Sequence, residues 1–317
     1  MIRPLRLFGD EPKFDFMRWH KLLAAVSIVM IVGSILLIVV KGLNFGIDFS
    51  GGILMEVRAP QAVDLAELRT EVSGLGRGEV QRQEFGQPTD GLSRIQRQEG
   101  EEAEQLAAVE AVKVALGEGY EYRRTEFVGP KVGDELIESA LWAILIAIGG
   151  IMLYIWFRYE WQFSINAIIA LLHDCITTVG LFALLGLDFN LATVAAVLTI
   201  AGYSVNDTVV IYDRIRTEMR RYKKMSMEDL INLSINRTLS RTVVTSGLTL
   251  LSVLALLAFG GEVLRSFSVA LVWGIAIGTY STIYVATPLL LYMNLRGVAA
   301  RMAERAAETA RGGDARP

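Results

Sequence analysis

Six separate apolar runs, each near the 20 residues needed to cross the roughly 30 Å hydrocarbon core of a bilayer, limit what this chain can fold into. They cover 22–41, 137–157, 163–185, 191–212, 242–259 and 266–295. Backbone polar groups inside lipid must bond within the protein, so runs of this length fold as helices. A barrel strand would be half as long and would alternate in polarity. Hydrophobic residues make up 52% of the 317 and charged ones 21%, too apolar a balance for a soluble domain with one core. The expected fold is a polytopic α-helical membrane protein with six transmembrane helices.

The net charge of −3 matters less than where the basic residues lie. Arg3, Arg6, Lys13, Arg18 and Lys21 precede the first span. Arg214, Arg216, Arg220, Arg221, Lys223, Lys224, Arg237 and Arg241 fill the 213–241 connection, and Arg296, Arg301, Arg305 and Arg311 follow the last span. By the positive-inside rule these segments, 1–21, 213–241 and 296–317, are cytoplasmic, and both termini lie inside. The outer connections Gly186–Asn190 and Gly260–Ser266 hold one basic residue, Arg265. The first span is too long for a signal-peptide core, and no small-x-small cleavage pattern precedes Lys41; it reads as an uncleaved anchor. Trp19, Trp156, Trp161, Tyr154 and Tyr159 fall at span ends, as interfacial or simply packing aromatics. The single cysteine, Cys175, excludes a disulfide framework within the chain and reads as a small apolar residue.

Residues 42–136 form the one long polar segment and are expected on the outer, periplasmic side. Ile53, Met55 and Val57 alternate as in a half-buried strand, 64–75 has helical spacing, and 80–85 and 92–96 read as strands. A strong helix former over 101–116 and a last strand over 120–128 complete a ferredoxin-like α+β order. The connection 213–241 has amphipathic helical spacing with Ser226 and Asp229 as N-cap and N3. Met225, Leu230, Leu233 and Leu239 are placed on its membrane face. The tail from Arg296 reads as a frayed helix with no assigned role.

Against this background Asp207 is expensive. An ionisable group at the centre of a spanning helix costs about 2.5–3.5 kcal/mol on insertion scales. Asp207 shares a helical face with Tyr203, Ile200 and Ala196 and lies about 9 Å from the cytoplasmic interface at Asp213 and Arg214. It is either held by a structural hydrogen bond or ion pair, or used. Arg241 is its nearest obvious counter-charge, although an arginine at a helix end also serves as an interface anchor. The stripe Thr238, Thr242, Thr245, Thr249 and Ser252 either back-bonds to its own helix or lines a polar seam. Asp174 lies beside His173 in the third span, with Thr178 four residues on; His173 suits a proton path. With His20 the only other histidine, no metal site and no cofactor are expected. Ser266, Ala270, Gly274, Gly278, Thr282 and Ala286 repeat every four residues, a ridge for close helix packing within the chain or against a partner. No Walker loop, nucleophile elbow or dinucleotide-binding turn is present, so the chain is not expected to be an enzyme.

The motifs GIDFSGG (Gly46–Gly52), VGPKVG (Val128–Gly133), LLHD (Leu171–Asp174), GYSVNDTVVIYDRIR (Gly202–Arg216) and NRTLSRT (Asn236–Thr242) occur in order over nearly the whole chain. Together they resemble the SecD/SecF family of bacterial protein-export membrane proteins, in its smaller form, related to the RND superfamily of proton-driven transporters. Val205 and Tyr212 depart mildly from that pattern. The resemblance implies an RND-type half transporter in the cytoplasmic (inner) membrane, completed by SecD as heterodimer partner. It implies use of the proton-motive force to draw unfolded precursor proteins from the SecYEG channel after SecA has pushed them in, with YajC as a further associate. It also implies a proton relay through Asp207 and Arg241 with an aspartate of SecD, and a motif position, with a less defined role, for Asp174. Burial and the Arg241 charge act in opposite directions on Asp207, so small helix movements would decide whether it holds a proton. The expected consequence is release of Arg241 and a tilt of the outer domain through the first and second spans. A scaffold that stabilises SecD and the channel without conducting protons is the alternative. Neither reading assigns any nucleic-acid contact.

Overall fold

The structure is a computed structural model that describes residues 12–58, 80–85, 87–95, 109–110, 113–114, 121–293 and 295. Six helices long and apolar enough to cross a membrane organise it. They are α1 (His20–Lys41), α2 (Pro130–Arg158), α3 (Trp161–Leu185), α4 (Leu191–Arg221), α5 (Met227–Phe259) and α6 (Arg265–Ser281). Local chemistry sets their ends. Pro130 occupies the first turn of α2, where its missing N–H costs nothing. Asn190 and Thr193 form a reciprocal capping box on α4, and Ser226 caps α5 by accepting from the Asp229 amide at 3.1 Å.

The interior of the bundle is built from α3, α4 and α6, whose buried residues recur at steps of three and four. By contrast α1 buries only His20, Ser27 and Ser34, and exposes Ile28, Val29, Val32, Leu36, Val39 and Val40. α2 and α5 likewise turn Leu145, Ile146, Leu153, Leu248 and Leu251 outward. Apolar side chains on the outside of such helices belong against lipid or another apolar surface.

Two helices extend past the apolar runs. α4 continues nine residues beyond Tyr212, and α5 begins at Met227, so most of the 213–241 connection is helix continuous with the spans. Leu230 and Leu239 are therefore not on the membrane surface: both are buried, and Leu230 packs with Met17, Ile155, Tyr159, Tyr212 and Ile215. The sixth span is not one regular helix. After Ser281 it passes through a π-helical turn, Thr282–Ala286, then Thr287–Leu289 and a final 3-10 turn, Leu290–Tyr292. Pro288 cannot donate to the preceding turn, which accounts for the break in the ladder.

Between α1 and α2 lie β1 (Asn44–Phe45), β2 (Gly52–Arg58), β3 (Val80–Phe85), β4 (Gln87–Ile95) and β5 (Glu121–Val128); β6 (Asp188–Phe189) joins α3 to α4. Four strands form an antiparallel sheet in the order β3-β4-β2-β5. Its first strand lies between its third and fourth, as the split strand-helix-strand arrangement requires. Ile53 and Met55 are fully buried while Leu54 is half-buried, matching the alternation of β2. The third strand starts at Gln87, five residues before the alternating Leu92 signal: Gln87 pairs with Phe85 and Gly91 with Glu84 across a register shift, and Asp90 pairs with Arg58 of β2. The helices expected at 64–75 and 101–116 lie outside the described residues except at 109, 110, 113 and 114, as do the N-terminal residues 1–11 and the tail from Arg296. A second, two-stranded sheet pairs β1 with β6 in parallel.

Candidate functional site

α3 carries the most completely bonded carboxylate of the bundle. The Asp174 side chain is fully buried, and its Oδ2 accepts from Ser204 Oγ of α4 at 2.6 Å and from Ser281 Oγ of α6 at 2.8 Å. Its Oδ1 lies 3.0 Å from Nδ1 of His173. Three helices thus meet on one anion through hydroxyl donors, the arrangement that makes a buried carboxylate tolerable. His173 is 1% exposed; its Nε2 has no hydrogen-bond partner among the described residues, and its ring stands 6.1 Å from that of Tyr280.

Asp207 lies one turn along α4 from Ser204, on the side facing α5. It is 3% exposed, and its Oδ2 accepts a long hydrogen bond, 3.3 Å, from Ser246 Oγ. Ser246 Oγ is also 2.9 Å from Thr279 Oγ1 of α6, so Asp207, Ser246 and Thr279 link α4, α5 and α6. Close by, Thr208 and Thr282 share a hydrogen bond of 2.8 Å, and Thr208 donates back to the Ser204 carbonyl at 3.1 Å. The two carboxylates therefore occupy adjoining polar layers of one seam.

Arg241 is not joined to Asp207. It is exposed, and no hydrogen bond or ion pair connects the two; its charge reaches the carboxylate through space. Two other arginines share a buried partner: the Arg237 guanidinium is 2.6 Å from Oε1 of Glu218, and Arg214 Nε approaches the same oxygen at 2.8 Å. Glu218 is 1% exposed, and this triad clamps the basic ends of α4 and α5 together. The hydroxyl stripe of α5 divides as well. Thr238, Thr245, Thr249 and Ser252 all donate to their own helix carbonyls, whereas Thr242 is buried with its Oγ1 unpartnered among the described residues.

The small-residue ridge of α6 packs inside the chain, against α4. A Cβ built on Gly274 would overlap the Ile200 side chain, and one on Gly278 would stand 3.1 Å from Cβ of Ser204. Thr282 meets Thr208, and the Ala286 carbonyl accepts from Tyr212 Oη at 3.4 Å. The four contacts advance by four residues on both helices, a parallel crossing in which each small residue of α6 faces the next turn of α4. This close approach is what brings Ser204 and Ser281 to the same carboxylate.

Sequence reasoning singles out Asp207, Arg241, Asp174, Gly274 and Gly278, but not Ser204, Ser281, Ser246, Thr279 or Glu218. Ser246 lies four residues after Thr242, on the buried side, while the stripe through Thr245, Thr249 and Ser252 rotates outward past that point. Among the described residues no group of three or more His, Cys, Asp or Glu side chains is placed to hold a metal ion.

Residues 108–296 match the family described as Protein export membrane protein SecD/SecF, C-terminal, and residues 36–63 match the SecD/SecF GG Motif. The chain is 47% identical to the protein translocase subunit SecF of Rickettsia felis, over 96% of its own length and 99% of that protein. It is 44% identical to the protein translocase subunit SecF of Rhodobacter capsulatus, over 92% of each. Among solved structures it is similar to SecDF, a translocon-associated membrane protein from Thermus thermophilus, with a TM-score of 0.82 and 36% identity over 90% of this chain. It spans 39% of that longer chain.

Proposed function

Because the chain belongs to the SecD/SecF family of protein-export membrane proteins, we propose that it is a Sec translocase subunit that works with SecD to turn the proton-motive force into the completion of precursor export. SecD supplies the remainder of the transporter, and the SecYEG channel delivers the precursor after SecA has acted, with YajC as an associate. The basic end of the bundle, with Arg214, Arg216, Arg237 and Arg241, faces the cytoplasm; the sheet faces the periplasm across the inner membrane. The protein is a coupling subunit rather than an enzyme.

The observation that carries the reading is the incomplete bonding of Asp207. A buried carboxylate with one long hydrogen bond and no ion pair is poorly held in its charged form, and is therefore a group on which gaining or losing a proton changes the contacts. Tyr203 Oη and Thr242 Oγ1 are further buried polar atoms without partners among the described residues, with spare capacity for water or a proton. Arg241 lies toward the cytoplasmic side and acts at a distance. Asp174, held by two hydroxyl donors with His173 alongside, is the fixed end of the same seam, and Ser204 to Thr208 is the single helical turn between the two layers. Moving one charge through 100 mV yields about 2.3 kcal/mol, enough to shift a two-state balance more than tenfold.

The test is gradient-dependent precursor release by the complete complex carrying Asp207→Asn or Arg241→Ala. Both variants are expected to lose most of the gradient-dependent rate while retaining assembly. The scaffold alternative draws on the close α4–α6 packing at Gly274 and Gly278; it predicts normal release by both variants, a result that would overturn the relay.

A further inference from the structure

The relay leaves unexplained how an event at Asp207 reaches the sheet, and the segment Asn44–Gly52 supplies a direct route. Three features of this segment meet the start of α4. Asn44 and Phe45 pair with Asp188 and Phe189, and Asn44 Nδ2 donates to Asp188 Oδ1 at 2.6 Å. The Gly46 amide donates to the Phe189 carbonyl at 2.8 Å, and a Cβ at Gly46 would lie only 3.0 Å from Cβ of Asn190. Asp48, in the one-turn helix Ile47–Ser50, accepts from the Leu191 amide at 2.8 Å through its Oδ2.

Leu191 is the first residue of α4, so its amide is one of the donors a helix cannot satisfy internally. Asn190 serves the Thr193 amide at 2.9 Å, and Asp48 serves Leu191; its charge also opposes the positive end of the helix. Around these polar contacts the Phe189 ring packs edge-on to Phe45 and Phe182, with centroids at 6.1 and 6.0 Å, and tilted against Phe49 at 6.1 Å. Immediately after Ser50, Gly51 and Gly52 take φ of 69° and 120°, a turn open to glycine that sends the chain straight into β2, where Ile53 and Met55 are fully buried. The other flank of the sheet closes on the same joint: a Cβ at Gly133, in the first turn of α2, would lie 3.4 Å from the Phe49 carbonyl. By contrast α1, one of the two covalent routes from sheet to bundle, buries few side chains along its length.

We propose that Asp48 is a positioning residue that docks the base of the sheet on the first turn of α4, so that the sheet and the helix carrying Asp207 move as one body. Sixteen residues of helix, about 24 Å, separate Leu191 from Asp207, and a continuous α-helix transmits rotation and translation over that length. The use of this joint in export rests on the proton-relay reading; the joint itself does not. It adds a direct route beside the expected one through the first and second spans.

The experiment uses the full complex with SecD, in a Cys175→Ser background so that the introduced thiols are the only ones in this chain. Asp48→Ala is expected to slow gradient-dependent release about fivefold, the size of a lost helix cap, with assembly unchanged, and Asp48→Asn, which still accepts a hydrogen bond, to retain most of the rate. Asn44 and Asp188 are register partners, close enough for a disulfide. Adding Asn44→Cys and Asp188→Cys to Asp48→Ala is expected to restore release on oxidation and to lose it again on reduction. Unimpaired release by Asp48→Ala, or no recovery with the formed disulfide, would overturn the coupling role. Amide hydrogen exchange at Leu191 needs neither gradient nor precursor, and Asp48→Ala is expected to accelerate it about fivefold. Unchanged exchange overturns the joint, whereas normal release by Asp207→Asn overturns the proton relay and leaves the joint standing on the exchange result.

Discussion

Two aspartates one layer apart are held in opposite ways, and the difference sets what each is good for. Asp174 accepts from Ser204 and Ser281 and contacts His173, so removing it strands the Ser204 hydroxyl and a ring nitrogen in a closed space, while Ser281 keeps the Gly278 carbonyl at 3.2 Å. Asp174→Ala is expected to cost at least about 2 kcal/mol and lower the Tm in detergent. Asp207→Ala strands no hydroxyl, because Ser246 keeps Thr279, and is expected to cost under about 1 kcal/mol. Equal losses in thermal unfolding would contradict this ranking. The identity of both aspartates was legible in the sequence because a carboxylate stands out in an apolar run. Their partners were not: Ser204, Ser246 and Ser281 look like any small residue of a packed helix, and only the crossing of α3, α4, α5 and α6 gives them an anion to bond.

At the scale of elements, the contact between α4 and α6 carries the site. Gly274 leaves no room for a methyl group beside Ile200, so Gly274→Ala is expected to destabilise the bundle by about 1–3 kcal/mol. Gly202→Ala, with nothing within 4 Å, is expected to be neutral or slightly stabilising. Trimming the opposing side chain, as Ile200→Ala together with Gly274→Ala, is expected to recover part of the loss, giving a non-additive double-mutant cycle in thermal unfolding. The every-fourth-residue spacing predicted a packing ridge, but periodicity carries no information on which helix answers it. The π-helical turn at Thr282–Ala286 was equally hidden: Pro288 signals a disturbed ladder, yet whether a helix kinks, ends or widens depends on the neighbours that take up the freed carbonyls.

For the whole molecule, the asymmetry between inner and outer helices is decisive. α3, α4 and α6 are half enclosed, whereas α1, α2 and α5 present broad apolar faces, and the charged groups of the seam lie within one bundle that spans 39% of the similar SecDF chain. Reconstituted alone, the subunit is expected to give no gradient-dependent precursor release; adding SecD restores it, and activity of the isolated subunit would refute the half-transporter reading. The sequence by itself determined the number of spans, the end at which positive charge gathers, the strand pattern of the segment between the first two spans and the two carboxylates within the apolar runs, because hydrophobic length, charge placement, alternation and desolvation cost act locally along a chain. Only the tertiary structure decided that Asp174 is the satisfied carboxylate and Asp207 the loosely held one, that Glu218 takes Arg237 while Arg241 stays apart, and that Asp48 reaches the end of α4. Those outcomes depend on distances between residues up to 143 positions apart in the chain, which follow from how the helices cross and not from any residue's neighbours in sequence.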